Sequence, residues 1–115
     1  MQYGGINMEE FSNLLWENIN IVKDLGDKIE NQKAFIEDIR DYLPSLNQMI
    51  MSIFTVIQEL EIPIDLNQDF IIQVLNDILY GIENEDFVFL LDVLRYGLLE
   101  IYEYIGSELQ DGGLA

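Results

Sequence analysis

Apolar residues recur at every third or fourth position through the first 60 residues of the chain. Two steps are double, because Asn18 and Gln32 stand where the next apolar residue is expected. This spacing is typical of helices that pack one face against other helices. We therefore predict one helix from about Glu9 to Tyr42 and a second from Pro44 to about Glu61. The apolar positions are Met8, Phe11, Leu15, Val22, Leu25, Ile29, Ile36, Ile39, Leu43, Leu46, Ile50, Ile53, Ile57 and Leu60.

The first of these predicted helices is long for a compact bundle. A continuous helix of about 34 residues would measure about 51 Å, whereas the other predicted helices would reach only about 22 to 32 Å. Either this helix breaks near Gly26, giving five short helices, or it overhangs and needs another chain. The break is favoured, because glycine costs about 1 kcal/mol in a helix interior and Asp24 and Asp27 suit a turn on either side of it.

The second half of the chain predicts two more helices. Pro63 ends the second helix, and the residues around Asn67 supply side chains that cap a third, from about Gln68 to Ile82. Asn84 can cap a fourth helix, which runs to about Ile105 and ends at Gly106.

These elements predict an all-α fold, an antiparallel bundle of four to five helices with no sheet. We expect a flexible leader at residues 1–7, a single bundle domain at residues 8–106 and a frayed tail at residues 107–115. No strand pattern and no internal repeat interrupts this division.

The fourth predicted helix has more apolar surface than one core face needs. Its charged residues form only a narrow stripe, and the third helix has a narrow polar stripe as well. A helix that is apolar on two faces is either central in a bundle or packed against a second molecule. We therefore expect a homodimer or a groove for a partner helix. The candidate interface residues are Phe87, Phe89, Val93, Tyr96, Leu99 and Tyr102.

Charge restricts the partners that this surface can bind. The formal net charge is −17, and from Asp41 to Ala115 there are fourteen acids and a single base, Arg95. This argues against direct binding to nucleic acid or an anionic membrane, because both need lysine and arginine. No signal peptide or membrane-spanning run is visible, and the lack of cysteine excludes disulfides. We therefore expect a soluble cytoplasmic protein.

The residue types also restrict chemistry. Without histidine or cysteine, the chain has no thiol nucleophile, zinc ligand set or Ser-His-Asp arrangement. The paired acids Glu100 and Glu103 lie on a polar stripe that faces solvent. Residues 65–69 read D-x-N-x-D, as a calcium loop opens, but Phe70 and Asn76 stand where glycine and glutamate are needed. We expect no enzyme activity, no cofactor, no metal site and no small-molecule substrate.

Two motifs resemble those of a known group of proteins. Gly81-Ile82-Glu83-Asn84-Glu85-Asp86-Phe87, followed by Leu91-Asp92-Val93-Leu94-Arg95-Tyr96-Gly97-Leu98, resembles a pattern in small uncharacterised all-helical proteins of Gram-positive bacteria. Tyr42-Leu43-Pro44 is similar to their middle region. The likeness covers about the last 70 residues, and this chain differs by having Leu91 for a small residue and Gly97 for an acid. The resemblance implies a helical fold and assigns no functional residue.

Two functions fit this sequence. The first is a non-catalytic helical interaction protein, such as an adaptor, a chaperone or a regulatory subunit, that binds a protein partner or itself through apolar surface of the last two helices. The alternative is an acidic inhibitor, like an antitoxin, that mimics nucleic acid in a basic site of another protein. Ionic strength separates them, because mimicry weakens steeply with salt whereas apolar docking is nearly indifferent.

Overall fold

The structure, a computed structural model, describes residues 7–60 and 66–111. Within them the chain forms four α-helices and no strand, which confirms the predicted all-α helical bundle. The first three helices are α1 (Met8–Glu30), α2 (Ile36–Leu60) and α3 (Gln68–Glu83). The fourth helix, α4 (residues 87–111), consists of Phe87–Val93, a π-helical turn at Leu94–Leu98, and Leu99–Asp111.

The predicted break in the first helix is confirmed, but its predicted position is wrong. The chain leaves α1 at residues 31–35. There Gln32 adopts φ 58°, in the left-handed region that ends a helix. The side-chain amide of Asn31 donates a hydrogen bond to the carbonyl of Asp27 at 2.8 Å and so closes the last turn. Gln32 is one of the two polar residues that interrupt the apolar spacing, so the signal for the break was present there.

Gly26, where the break was predicted, lies buried inside α1. A Cβ atom at this position would stand 3.2 Å from Nε of Arg95 on α4. The glycine therefore marks the place where the arginine side chain of α4 crosses α1.

The prediction that Pro44 begins a helix is also wrong, because α2 begins at Ile36 and contains the proline. Proline leaves the carbonyl of the residue four positions earlier, here Arg40, without its N–H partner. Both residues are exposed, so water can satisfy that carbonyl. The apolar face of α2 continues past the proline, with Ile39 and Leu46 buried on either side.

The predicted start of the third helix is confirmed. Oδ1 of Asn67 accepts hydrogen bonds from the backbone N–H of Asp69 at 2.9 Å and of Phe70 at 3.3 Å, as an N-cap does. Pro63, which was expected to end the second helix, lies outside the described residues.

In the connection between α3 and α4, one polar side chain ends the first helix and another begins the second. Asn84, predicted to cap the fourth helix, instead closes α3 by donating from Nδ2 to the carbonyl of Tyr80 at 2.8 Å. Glu85 follows with φ 49°. The N-cap of α4 is Asp86, whose Oδ1 accepts from the N–H of Phe89 at 3.1 Å. The predicted cap was therefore two residues too early.

The helix that was expected to end at Gly106 continues to residue 111. A Cβ atom at Gly106 would lie 3.6 Å from Leu15, so this glycine permits close contact with α1 rather than ending the helix. Leu109 is buried beyond it. Residues 107–111 therefore belong to the bundle and not to a frayed tail, while residues 112–115 lie outside the described part.

Neighbouring helices run antiparallel and build one core. α4 lies between α1 and α3: a Cβ atom at Gly81 would stand 2.6 Å from Cγ of Leu90, so α3 and α4 approach closely there. Burying each large aliphatic side chain contributes about 1.5–3 kcal/mol. The most deeply buried side chains come from all four helices and include Leu15, Ile19, Ile39, Ile53, Ile71, Ile78, Leu90, Leu94, Leu98 and Ile105.

Candidate interaction surface

The six residues predicted to form an interface do not form one exposed surface. Tyr102 is fully buried, and Val93 and Leu99 are buried with it in the core. Phe87 and Phe89 are half-buried. These placements correct the predicted interface: α1 and α3 cover the two apolar faces of α4, which is the central helix of the bundle.

Tyr96 is the exception, with 67% of its surface exposed. It lies within the π-helical turn of α4. Of the six residues, it is therefore the one most accessible to a partner.

Burial of Tyr102 is made possible by a hydrogen-bonded network that joins three helices. The hydroxyl of Tyr42 on α2 donates to Oδ1 of Asn18 on α1 at 2.6 Å. The hydroxyl of Tyr102 lies 2.9 Å from that of Tyr42. Since each hydroxyl has one proton, Tyr102 is the donor in this second bond. Nδ2 of Asn18 donates to the carbonyl of Leu14 at 2.8 Å, so the buried amide is satisfied as well.

Burial keeps both hydroxyls of this network in their neutral form. Burial raises the pKa of the Tyr42 hydroxyl to about 12, although its hydrogen bond with Tyr102 acts in the opposite direction. Burial also raises the pKa of the Tyr102 hydroxyl, and the neighbouring Tyr42 raises it further. Both groups therefore stay neutral at physiological pH. Asn18, which interrupted the apolar spacing of the sequence, is the polar anchor of this contact.

The single base in the second half of the chain is engaged in a contact between helices. The guanidinium of Arg95 on α4 forms ion pairs with Asp27, at 3.3 Å, and with Glu30 near the end of α1. The hydrogen bond to Glu30 is the main reason that the pKa of Arg95 is raised. Because both carboxylates are well exposed, we expect these pairs to orient α1 and α4 more than to stabilise them.

Open cavities with apolar walls lie between α3 and α4, where Phe70, Tyr104 and the acid Glu100 line one of about 420 Å³, and between α2 and α3. Those between α2 and α3 have no charged side chain in their lining. Near one end of these helices, a cavity of about 210 Å³ is lined by Leu43, Leu46, Asn47, Leu75 and Leu79. Leu46 is buried and forms its floor, whereas Leu79 remains 52% exposed. The walls of this cavity are nearly all leucine side chains.

A second cavity, of about 470 Å³, lies between the same two helices nearer the other end. It is lined by Phe54, Ile57, Gln58, Gln68 and Ile72. Along α2, Met51 comes between the residues that line the two cavities, and it is 62% exposed.

We call this surface the α2–α3 face. It consists of Leu43, Asn47, Met51, Phe54, Ile57 and Gln58 on α2, and of Gln68, Ile72, Leu75 and Leu79 on α3. Each of the α2 residues lies three or four positions from another of the set, so they share one side of the helix. From residue 43 to residue 58 the face is about 22 Å long at about 1.5 Å per residue.

The α2–α3 face contains no charged side chain. The sequence has no acid or base from residue 42 to residue 58, although the whole chain carries 22 acids and five bases. This stretch of 17 residues has an exposed side, at which charged residues would ordinarily be favoured. Depletion of charge together with exposed methionine is typical of the centre of a protein–protein interface. The sequence therefore contained a signal for this surface in the absence of charge.

No cluster of three or more acidic, histidine or cysteine side chains suited to a metal ion occurs within residues 7–60 and 66–111. Across the same ranges, no helix combines the length and apolar character needed to cross a membrane. Comparison of the chain with known proteins found no matching family model, curated protein or solved structure.

Proposed function

We propose that this chain is a non-catalytic, acidic helical interaction protein that binds a protein partner through the α2–α3 face. An adaptor, a chaperone-like protein and a regulatory subunit are the forms that such a function takes. The observation that carries the proposal is the uncharged, partly exposed surface along α2 and α3 of a protein with a net charge of −17.

Contiguity distinguishes this face from ordinary exposed apolar residues. Single exposed apolar side chains are normal on any protein surface. Here Met51, Ile72 and Leu79 are each at least half exposed, Ile72 and Leu79 line the two cavities, and the cavity beside Leu79 reaches the buried Leu46. A contiguous apolar surface with polar edges is where partners dock, because its burial removes apolar area from water.

This proposal moves the binding surface from the last two helices to the second and third. α3 keeps its predicted role through Ile72 and Leu79. α4 loses its role as the centre of the surface, because the bundle itself covers most of its apolar side chains.

The alternative, mimicry of nucleic acid, has less support from the geometry. Acids on the outer side of α1 are interspersed with bases, and Lys28 lies 3.6 Å from Asp24. Arg95 pairs with two further carboxylates at the end of α1. Such pairing reduces the negative potential that a basic site would recognise. We therefore favour apolar docking.

A cytoplasmic location is part of this proposal. Its support is compositional: the chain has no cysteine with which to form the disulfides that are common in oxidising compartments. Fractionation of the native cell, with the protein detected by an antibody, tests it directly.

A pull-down from the native cell tests the proposed surface. The baits are the wild-type chain, Met51→Glu on the α2–α3 face, and Tyr96→Glu on the exposed side of α4 as the matched control. We expect a protein that is retained by the wild type and by Tyr96→Glu, lost with Met51→Glu, and nearly insensitive to salt, because apolar burial is not screened. If the partner is lost only with Tyr96→Glu, the binding site lies on α4 instead. Capture that disappears at high salt would favour mimicry.

A further inference from the structure

We infer that the partner of the α2–α3 face is a second copy of this chain. In the resulting symmetric dimer, the two α2 helices pack antiparallel across a two-fold axis. This inference rests on the proposed function, because it names the occupant of the same surface. It differs from that function in requiring no other protein.

The first argument is electrostatic. Two copies that each carry −17 repel one another, and association through a charged face would add direct contacts between like charges. Along the middle of the α2–α3 face this contact is absent, because α2 has no charged residue from residue 42 to residue 58 and the exposed acids Asp69 and Glu83 of α3 stand at the ends of the face. Acids on the far side of the bundle, whose shorter dimensions are 25 and 23 Å, lie well beyond the screening length of about 8 Å at physiological ionic strength. Two copies can therefore approach through this face.

The second argument is the chemistry of the polar residues at the face. They are amides, namely Asn47, Gln58 and Gln68, all of which are exposed. An amide has both donors and an acceptor, so it can pair with an amide of an identical copy. A basic partner helix would instead be recognised by carboxylates along the edges of the groove. The middle of the face offers amides that suit a second copy, whereas the carboxylates of Asp41, Glu59, Asp69 and Glu83, which a basic helix would need, stand only at its ends.

The third argument concerns direction. A two-fold axis across α2 makes the two helices antiparallel, and in a symmetric interface each contact occurs twice. The middle of the uncharged stretch is residue 50, so an antiparallel pairing centred there places Arg40 opposite residue 60 of the other copy, next to Glu59. Each end of the interface then brings Arg40 and Asp41 of one copy next to Glu59 of the other, so the base makes an attractive contact there and the acid a repulsive one. Parallel packing would instead bring the two Arg40 side chains together.

Sedimentation equilibrium on the full chain over a range of submillimolar concentrations tests the dimer. We expect the mass of the wild type to approach twice 13.4 kDa. Met51→Glu should weaken self-association by at least about tenfold, because it places a carboxylate of each copy in the apolar contact. Val88→Glu, at a 77% exposed position on α4, is the control and should leave the dimer intact. Circular dichroism checks that both variants keep their helices.

Cysteine cross-linking locates the contact independently of affinity. Because the chain has no cysteine, a single introduced thiol reports on one position. Under a mild oxidant, Met51→Cys should form a covalent dimer, since the two copies of residue 51 lie near the two-fold axis, while Val88→Cys should stay monomeric. Equal cross-linking of the two variants would contradict the proposed face.

A charge exchange tests the direction of packing. Arg40→Glu should weaken the dimer by a few fold, and the double variant Arg40→Glu with Glu59→Arg should restore it, because it re-forms both end contacts with reversed signs. A double variant weaker than the single one would overturn the antiparallel arrangement.

The outcomes separate this inference from the function on which it rests. A wild-type chain that stays monomeric throughout the concentration range overturns the dimer. If the pull-down then still shows a different protein that Met51→Glu releases, the proposed function stands without self-association. A dimer that Val88→Glu dissociates and Met51→Glu does not would contradict both.

Discussion

The two sides of this bundle differ in how completely their helices cover one another. Where α1 meets α4, the helices are in close contact along their length: Arg95 packs across Gly26 near one end, and Gly106 lies against Leu15 near the other. Where α2 meets α3, two cavities lie between the helices and apolar side chains remain open. Only the second side is uncharged along a whole helix face.

This difference shows that packing and surface charge vary together. The α1–α4 side buries its apolar residues and presents acids such as Asp24, Asp27 and Glu30 to water. The α2–α3 side presents Met51 within a stretch of α2 that has no charge, and Leu79 one turn before Glu83 at the end of α3. A protein that repels its own copies this strongly would gain solubility from a charge on the open side. Its absence from the α2 part of the open side is the reason that we propose a partner for that side.

Replacing one leucine on each side by alanine should give the largest difference in the free energy of unfolding. Leu15→Ala on the α1–α4 side should lower the free energy of unfolding by about 2–5 kcal/mol, because it leaves a cavity in a close-packed core. Leu79→Ala, at a half-exposed position of the α2–α3 face, should lower it by less than about 1 kcal/mol. Urea titrations at low micromolar concentration measure both variants, with dimer formation minimised. Equal losses would show that the two sides are packed alike.

Alkaline pH tests the polar contact that joins α2 to both helices of the tight side. Because burial raises the pKa of folded Tyr42 from 10.0 to about 12, its neutral form is favoured in the folded state. This contribution is fully present below pH 10 and is lost as the pH rises from about 10 to about 12. The loss amounts to about 3 kcal/mol over that range. The raised pKa of buried Tyr102 acts in the same direction.

The measurement is the thermal midpoint of unfolding across this pH range. Tyr42→Phe should be less stable at neutral pH, because Asn18 loses a hydrogen bond. Its stability should then fall less steeply above pH 10 than that of the wild type. Tyr80 is exposed, so Tyr80→Phe is the control and should show the same change of thermal midpoint with pH as the wild type. Parallel slopes for all three proteins would show that the buried hydroxyls do not titrate with folding.

The smallest expected effect concerns the ion pairs between α1 and α4. Arg95→Gln should lower the thermal midpoint only slightly, and the difference should diminish as salt is added, because both carboxylate partners are exposed. Lys28→Gln is the matched control, since Lys28 pairs with Asp24 within α1 alone. A large, salt-independent loss in Arg95→Gln would mean that its stem packing against Gly26, and not its charge, holds this end of the bundle.

Much of the fold could be predicted because the spacing of apolar residues along the chain indicates where helices form. The apolar steps of three and four residues predicted helices throughout, and the interruption at Gln32 lies where the chain turns. The errors arose at residues whose role in the folded protein differs from the role that their neighbours in the sequence suggest. Gly26 and Gly106 were expected to end helices, yet both permit contact between α1 and α4. Pro44 was expected to begin one, yet solvent exposure lets α2 accommodate it.

The candidate surface was less predictable, for a related reason. Periodicity showed that α4 has apolar residues on two faces, but not whether the protein itself covers them. Tyr102 was assigned to an interface, although Asn18 and Tyr42, distant in the sequence, provide the hydrogen bonds that let it be buried. The uncharged stretch at residues 42–58 was visible in the sequence throughout, and its meaning depended on knowing that one side of it is exposed.

The amino-acid sequence by itself therefore determined that this protein is helical, where most of its helices lie, and that its surface is acidic, since spacing and charge are properties of the chain. The tertiary structure alone decided which apolar surfaces become core. α4 carries the more apolar stretch, yet α1 and α3 enclose it, while α2 and α3 leave the face around Met51 and Leu79 open. The physical reason is that burial depends on which helices become neighbours, and contacts between residues far apart in the chain decide that.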